Sequence, residues 1–514
     1  MAILADIVAA SREVAATRSR TKKIARFGEL LGRFSMAELP AAVGFLCGEL
    51  RQGRLGLGQR ALHAVRAEQE PAASEVSVLE LDAVFQALED LSGKGVASER
   101  ERLLGALFAR LTGEERDFVT RLILGELRQG ALESIVLDAL AQASRVSPEV
   151  IRKAMLFSGN AAEVALSAFR GGEAELKAFS IRLFRPLRPM LAQSAKSAEE
   201  AFTRAAPAAI EYKLDGARIQ LHKQAERVLL YSRYGNDLSD ALPEIVELGR
   251  SFAAESLVLD GEVIALREDG RPQPFQVTMQ RVGRKLGVAA ARADLPLRAF
   301  FFDCMYKDGT VLVEQPNDER WQALESAVPE SARVMRTLLS SAADAEAVLQ
   351  RALASGNEGV VVKSLASLYE AGRRGAGWVK VKPAPTLDLV VLAVEWGSGR
   401  RKGLLSNLHL GARDPDSGGF VMLGKTFKGL TDATLKWQTH KLLELALETE
   451  RSEWVVKVRP ELVVEIAFDG LQKSSTYPGG LALRFARVKR YREDKPAHDA
   501  DTIQFVRELF DRVQ

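Results

Sequence analysis

Cysteine is nearly absent from this chain of 514 residues, which contains only Cys47 and Cys304. Two cysteines exclude a disulfide framework and a four-cysteine zinc module within one chain, and they suggest a reducing compartment. Also missing is any apolar run approaching the ~18 residues of a membrane-spanning helix, so no membrane association is expected. The opening residues, MAILADIVAASREVAATRSRTKK, lack a basic start, a sustained apolar stretch and a cleavage site, and no signal peptide is read there. Nor is there a strong excess of one charge. The 71 Lys and Arg stand against 68 Asp and Glu, leaving a formal net charge of +3. Such a balance does not announce a nucleic-acid binder, and any such binding must rest on local basic clusters.

What is present is ordinary globular composition, 47% hydrophobic and 27% charged. At roughly 100–200 residues per domain, the length predicts about three domains. Residues 1–178 read as helix after helix. Leu81, Val84, Phe85, Leu88 and Leu91 recur at helical spacing, Thr112 with Glu115 fits a capping box, and Ser147-Pro148 fits an N-cap followed by proline at the first helical position. An all-α domain is expected there. Phe184–Met190 holds two prolines without helical periodicity and reads as a linker.

From Ala209 the period becomes two, and strand-like runs recur at Arg227–Ser232, Leu257–Leu266, Ala299–Tyr306, Gly359–Lys363 and Trp378–Lys382, with helical stretches between some of them. An α+β domain is expected over 186–385. Lys382-Pro383-Ala384-Pro385 reads as a second stiff linker. Residues 386–514 carry short strands, glycine-rich turns and one helical insertion near 431–449, which predicts a small β-barrel of the OB-fold type.

The chemistry concentrates in Tyr212-Lys213-Leu214-Asp215-Gly216, where Glu211, Lys213 and Asp215 share one strand face. An arbitrary strand lysine is a solvated surface residue. A nucleophilic one must lose its proton against a free pKa of about 10.4, which nearby cations or burial favour. Trp378, Lys380 and Lys382 line one face of a later strand and offer such cations, which also suit a triphosphate. Displacement at phosphorus wants a divalent metal with hard oxygen ligands. Asp260 and Glu262 share one face of an apolar strand, and Glu358 opens a β-branched one. Taken singly, each has a bland reading as a turn or a solvated strand end.

In order, Lys213–Gly216, Ser232-Arg233-Tyr234-Gly235, Asp260-Gly261-Glu262, Phe302-Asp303, Glu358–Lys363 and Trp378–Lys382 resemble the motifs of the nucleotidyltransferase superfamily of ATP-dependent DNA ligases, RNA ligases and mRNA capping enzymes. Leu483–Lys495 resembles the ligase version of the last superfamily motif, with Ala486 where many ligases have proline. Arg121–Gly130 and the helix after it resemble the DNA-binding domain of multi-domain DNA ligases. The resemblance implies a DNA-binding helical domain (1–178), a nucleotidyltransferase domain (186–385) and an OB-fold domain (386–514), of prokaryotic type. It implies ATP and Mg2+ as cofactors and nicked double-stranded DNA as partner, with the chain a monomer in the cytoplasm at the nucleoid.

By the same resemblance Lys213 is the adenylylated nucleophile. Glu211 accepts from the adenine amino group, Phe302 stacks on the purine, and Arg218 holds the ribose and phosphate region. Arg233 contacts the nucleotide or the DNA 5′-phosphate, and Arg374 contacts the nucleotide. Glu262 and Glu358 bind magnesium, with Glu262 also near the ribose, and Lys380 and Lys382 hold the α-phosphate. Asp215 is assigned to positioning the 3′-hydroxyl. Arg484–Lys495, six of whose twelve residues are Lys or Arg, orients pyrophosphate. Arg121, Arg128, the Gly125–Gly130 turn and Arg400-Arg401-Lys402 are the candidates for DNA phosphates.

Two alternatives stand beside this reading. An RNA ligase or capping enzyme usually lacks the ~210 residues that precede Lys213 here. A non-catalytic DNA-binding protein on a ligase scaffold would not need an intact lysine with both glutamates and both late lysines. The reading predicts that Glu211→Ala lowers discrimination for ATP over GTP in nucleotide competition; unchanged selectivity removes that role from Glu211.

Overall fold

The computed structural model describes residues 3–53, 55–65, 71–93, 95–127, 133–284, 286–372, 374–451 and 454–513. Among these, helices fill the chain from Leu4–Ala16 to Gly172–Lys177, and the first strand begins only at Leu191. The local signals act as expected. Thr112 accepts from Glu115 N while the Glu115 carboxylate accepts from Thr112 N, and Ser77 with Glu80 makes the same reciprocal cap. Ser147 caps the helix Pro148–Ser158. One buried core, from Leu4 to Leu176, unites this segment.

The strands are β1 Leu191–Ala195, β2 Ala208–Lys213, β3 Ala217–Gln224, β4 Arg227–Ser232, β5 Ser256–Ala265, β6 Leu297–Lys307, β7 Thr310–Val311, β8 Arg336–Leu338, β9 Gly359–Ser364 and β10 Arg374–Val381. They form two five-stranded sheets, ordered β1-β10-β9-β2-β8 and β4-β3-β5-β6-β7. All pairs are antiparallel except β1 with β10. Helices Ala198–Ala205 and Ala342–Ala354 cover the outer face of the first sheet with a small, alanine-rich core. Between the sheets lie Val258, Met305, Tyr369 and Trp378, and the same core reaches Phe157 and Ile181 of the helical segment.

Phe184–Met190 has no regular structure, as expected of a linker, yet it is clamped. Leu187 N donates to Gln220 Oε1 at 2.7 Å, Phe184 N to His222 Nδ1 at 3.0 Å, and Met190 is fully buried. Proline denies the segment a helix, and side chains of β3 supply the missing backbone partners.

The C-terminal strands are β11 Thr386–Trp396, β12 Leu405–Arg413, β13 Phe420–Thr426, β14 Ala446–Arg451, β15 Val455–Val458, β16 Val463–Ala467, β17 Gly470–Lys473, β18 Leu481–Arg484 and β19 Arg487–Tyr491. Here the expectation of a barrel is corrected. The pairings run β13-β12-β11-β15-β14, with β16 joining β11 to β19 and β17-β18 a separate hairpin, and they do not close into a ring among the described residues. A bulge between Val391 and Ala393 lies where β11 passes from pairing with β16 over Thr386–Val390 to pairing with β15 over Ala393–Glu395. The helix Asp432–Glu444 occupies the gap. Its Gln438 donates to Leu405 O and accepts from Tyr491 Oη, so a helix side chain links two strands that are not paired with each other.

A fully buried ion pair fixes the helix Asn317–Ala327 to the second sheet. Arg320 donates to both Asp303 oxygens, at 2.7 and 3.0 Å, and to the carbonyls of Gln315 and Ser367. Removing one partner of such a pair leaves a charge unmatched in a dry site. Asp303→Ala is therefore expected to cost about 3–5 kcal/mol in urea unfolding; a loss under about 1 kcal/mol would mean that water reaches Arg320.

Candidate active site

Lys213 ends β2 at the rim of the first sheet, and Gly216 turns the chain into β3. The glycine is obligatory because a Cβ there would lie 2.3 Å from Val263 O and 2.3 Å from Ile264 Cγ2. Gly216 N donates to Glu262 Oε1 at 3.2 Å, so the turn also delivers a carboxylate from β5 beside the lysine. Gly359 plays the matching part on β9. Its φ is +150°, and a Cβ would sit 2.2 Å from Val381 O, so only glycine lets β10 come close enough to bring Lys382 to Glu358.

The amine of Lys213 contacts Glu358 Oε2, and Lys382 contacts the other oxygen of the same carboxylate. Lys382 continues to Asp469, between β16 and β17, at 3.6 Å, and Asp469 accepts from Arg487 at 2.8 Å. Cations and anions thus alternate from the C-terminal sheet to the rim of the first sheet at Lys213. Burial pulls the Lys213 amine below the ordinary lysine range. Glu262 and Asp215 push it back up, while Lys382 and Lys380 add to the depression. Burial raises the Glu262 carboxyl to about 7.

Beside Lys213 opens a cavity of about 660 Å3, a size suited to a nucleotide. Its wall includes Lys213, Glu211, Arg218, Arg233, Glu262, Phe302 and Lys380. Three residues expected to join them are placed differently. Glu358 and Lys382 stand outside the cavity wall, engaged with Lys213 and Asp469, and the side chain of Arg374 lies outside the described ones, although its backbone pairs with Leu191.

Arg218 forms part of the wall with every nitrogen engaged. It holds both Asp260 oxygens at 2.9 and 2.6 Å and Met190 O at 2.7 Å, and its guanidinium lies 5.5 Å from the Phe302 ring centroid. Tyr369 Oη donates to Asp260 at 2.6 Å, completing the clamp. Phe302 meets Trp378 edge to face at 6.0 Å. Arg233 is exposed at the mouth, next to Tyr234, which is 84% exposed.

Sequence reasoning missed several contributors. Lys363, on β9, is buried with its amine 2.7 Å from Glu211 and 2.8 Å from Phe302 O; a lysine ending an otherwise apolar strand was the signal. Tyr369 and Asp469 lie in loops, and only the fold brings them in. The stretch 484–495 divides. Arg487 holds Asp469 and Arg484 approaches Asp215 at 3.8 Å, whereas Arg492 and Lys495 are tied back to Asp388 at 2.8 and 2.9 Å.

Of the expected DNA contacts, Arg121 is exposed beside Asp117 at the end of the helix Gly113–Leu124, and Gly125 caps that helix in the left-handed region. Arg128 and Gly130 lie outside the described residues. Arg400 and Arg401 form a 3-10 turn before β12.

The two carboxylates assigned to a metal do not make a cage. No cluster of three or more acidic, histidine or cysteine ligands exists among the described residues. Two hard oxygen donors still fit a magnesium ion that takes the rest of its shell from phosphates and water. No described helix is long and apolar enough to cross a membrane.

Comparisons with known proteins agree along the chain. Residues 57–141 match the family model "DNA ligase N terminus", 189–382 "ATP dependent DNA ligase domain" and 401–495 "ATP dependent DNA ligase C terminal region". A "Probable DNA ligase" of Anaeromyxobacter sp. (strain Fw109-5) is 54% identical over 510 residues, covering 99% of this chain and 98% of its own length. One from Sorangium cellulosum (strain So ce56) is 53% identical over 508 residues, covering 99% and 95%. Among solved structures, "Pmar-Lig_PreS3" superposes with a TM-score of 0.65 at 19% identity, over 95% of this chain and 99% of that one, a likeness of fold. With a buried, acid-paired lysine in the wall of a nucleotide-sized cavity and relatives matched end to end, this chain belongs to the ATP-dependent DNA ligase family.

Proposed function

We propose that the chain seals nicks in duplex DNA in three displacements at phosphorus, with Lys213 as the nucleophile of the first. The observation that carries this reading is the position of Lys213, its amine depressed by burial and paired with Glu358, at the mouth of a cavity walled by Glu211, Phe302, Arg218 and Lys380. The amine attacks the α-phosphate of ATP, forming a phosphoramidate as pyrophosphate leaves. The DNA 5′-phosphate takes the adenylate from the lysine, and the 3′-hydroxyl then displaces AMP.

Each residue takes one task in this scheme. Phe302 offers a ring to the purine, and Glu211 offers acceptor lone pairs to its amino group. Lys380 neutralises the α-phosphate, joined by Lys382 once it leaves Glu358. Arg218 shapes the ribose side of the wall, Arg233 meets the nucleotide or the DNA 5′-phosphate at the mouth, and Arg374 contacts the nucleotide. Glu262 and Glu358 would hold Mg2+, which supplies charge neutralisation on the phosphates. Arg484 and Arg487 orient the departing pyrophosphate, and Asp215 the 3′-hydroxyl. Arg121, Arg128 and Arg400–Lys402 take DNA phosphates, contacts that carry no sequence information.

The division into a DNA-binding domain (1–178), a nucleotidyltransferase domain (186–385) and a strand-rich C-terminal domain (386–514) belongs to this proposal, as do a monomer around a nicked duplex and a place at the nucleoid in the cytoplasm. The separate cores of the first and last segments support the division.

The test uses α-labelled ATP with Mg2+. Label should remain on the denatured protein, vanish with Lys213→Ala and pass to nicked duplex on chase; equal labelling of the variant refutes the proposal. The free amine is the nucleophile, so single-turnover labelling should rise with pH and level off at a midpoint below the ordinary lysine value of 10.5. Lys380→Ala removes a cation that favours the free amine and should move that midpoint up. A midpoint at or above 10.5, or a downward move, contradicts the assignment.

A further inference from the structure

Glu211 is 2% exposed, and its carboxylate is bracketed by two cations. One is Lys363, whose amine is 2.7 Å from Oε2. The other is Arg336, whose Nη1 is 3.3 Å from Oε1. Arg336 belongs to none of the six motifs. It lies on β8, the edge strand beside β2, directly across the ladder from Glu211, while Lys363 sits two residues beyond Val361, the partner of Glu211 on β9. The three side chains therefore share one sheet face, with the anion between the cations.

The two cations are held differently. Lys363 is anchored by Phe302 O at 2.8 Å and lies 4.2 Å from the Trp378 ring centroid, so it is part of the base pocket. Arg336 is held from behind. Its guanidinium stacks 4.4 Å over Trp321, on the helix Asn317–Ala327, and its side chain is only 5% exposed. That helix is in turn fixed by the buried Arg320–Asp303 pair, next to Phe302 in sequence.

We infer that Arg336 is a positioning residue that sets base selectivity. Held by Trp321, it fixes one oxygen of Glu211 while Lys363 fixes the other. A carboxylate with a cation on each oxygen offers the cavity acceptor lone pairs and no O–H. Such a group suits the amino group of adenine and opposes the carbonyl oxygen that guanine carries at the same place. Without Arg336 the carboxylate turns towards Lys363, and the acceptor aimed at the base loses its direction. Discrimination built on a buried hydrogen bond is lost when the bond is misdirected, whereas the triphosphate contacts remain. The inference rests on the proposed role of Glu211 at the base.

The test measures equilibrium binding of ATP and of GTP by calorimetry in full-length Lys213→Ala protein, which cannot form the covalent bond. Arg336→Met keeps the bulk over Trp321 and removes the charge. The ATP-to-GTP affinity ratio is expected to fall about tenfold or more, chiefly through weaker ATP binding, and Arg336→Lys should restore part of it. A merely structural role would lower both affinities together and leave the ratio within about twofold, which overturns the inference. Should Arg336→Met fail to fold by thermal melting, Trp321→Leu frees the guanidinium while keeping its charge, and the ratio should shift the same way. Glu211→Gln is the separate control. If it leaves the ratio unchanged while wild-type protein still labels with ATP, the role of Glu211 at the base fails and takes the inference with it. If wild-type protein takes no label at all, the nucleotidyl-transfer reading itself fails.

Discussion

The contact between Lys213 and Glu358 is the interaction on which the rest of the site depends. Amine and carboxylate arrive from neighbouring strands of one sheet, each at its end, and each arrival requires a glycine: Gly216 where β2 turns into β3, and Gly359 where β9 begins. A buried amine next to an acid would ordinarily stay protonated. Here burial weighs against the charge, Lys382 shares that acid, and Lys380 and Lys382 add to the depression. The resting state is a lysine held in place by Glu358, its charge disfavoured by burial and by the nearby cations Lys380 and Lys382.

The same logic of alternating charge extends in two directions. Towards the C-terminal sheet, Lys382, Asp469 and Arg487 carry it out of the site, and Arg484, at the end of β18, approaches Asp215 beside the lysine. Opening that sheet away from the site would break Lys382–Asp469 and Arg484–Asp215, both long contacts and readily exchanged for phosphates. Towards Phe302, Arg218–Asp260–Tyr369 and Glu211–Lys363 are buried and short, and Arg218 and Lys363 face the ring of Phe302. The Phe302 end of the cavity is thereby held by short buried contacts, and the Lys382 end by longer ones.

Much of this was legible in the chain. Strand alternation placed Glu211 and Lys213 on one face, and capping residues such as Thr112 and Ser147 marked helix starts that the structure reproduces. Motif order brought Glu262, Phe302 and Lys380 to one cavity wall. What remained hidden depends on side-chain partners far apart in sequence. Arg218 looked like a ligand-gripping arginine, but its nitrogens are spent on Asp260 and Met190 O. Arg336 and Tyr369 carry no motif, and their significance arises only from register and loop packing. The barrel expected after residue 386 followed from strand number and turn chemistry. Sequence periodicity does not report which edges pair, and the helix Asp432–Glu444 fills a gap that the pattern of short strands could not reveal.

The central claim is chemical and local: one amine, that of Lys213, receives the nucleotide. Mass spectrometry of the protein after exposure to ATP and Mg2+, followed by proteolysis, tests it directly. A single AMP joined through an acid-labile P–N bond to the peptide bearing Lys213, and released by added pyrophosphate, is the predicted result. AMP on any other residue, or unmodified Lys213 in protein that still seals nicks, would contradict the account.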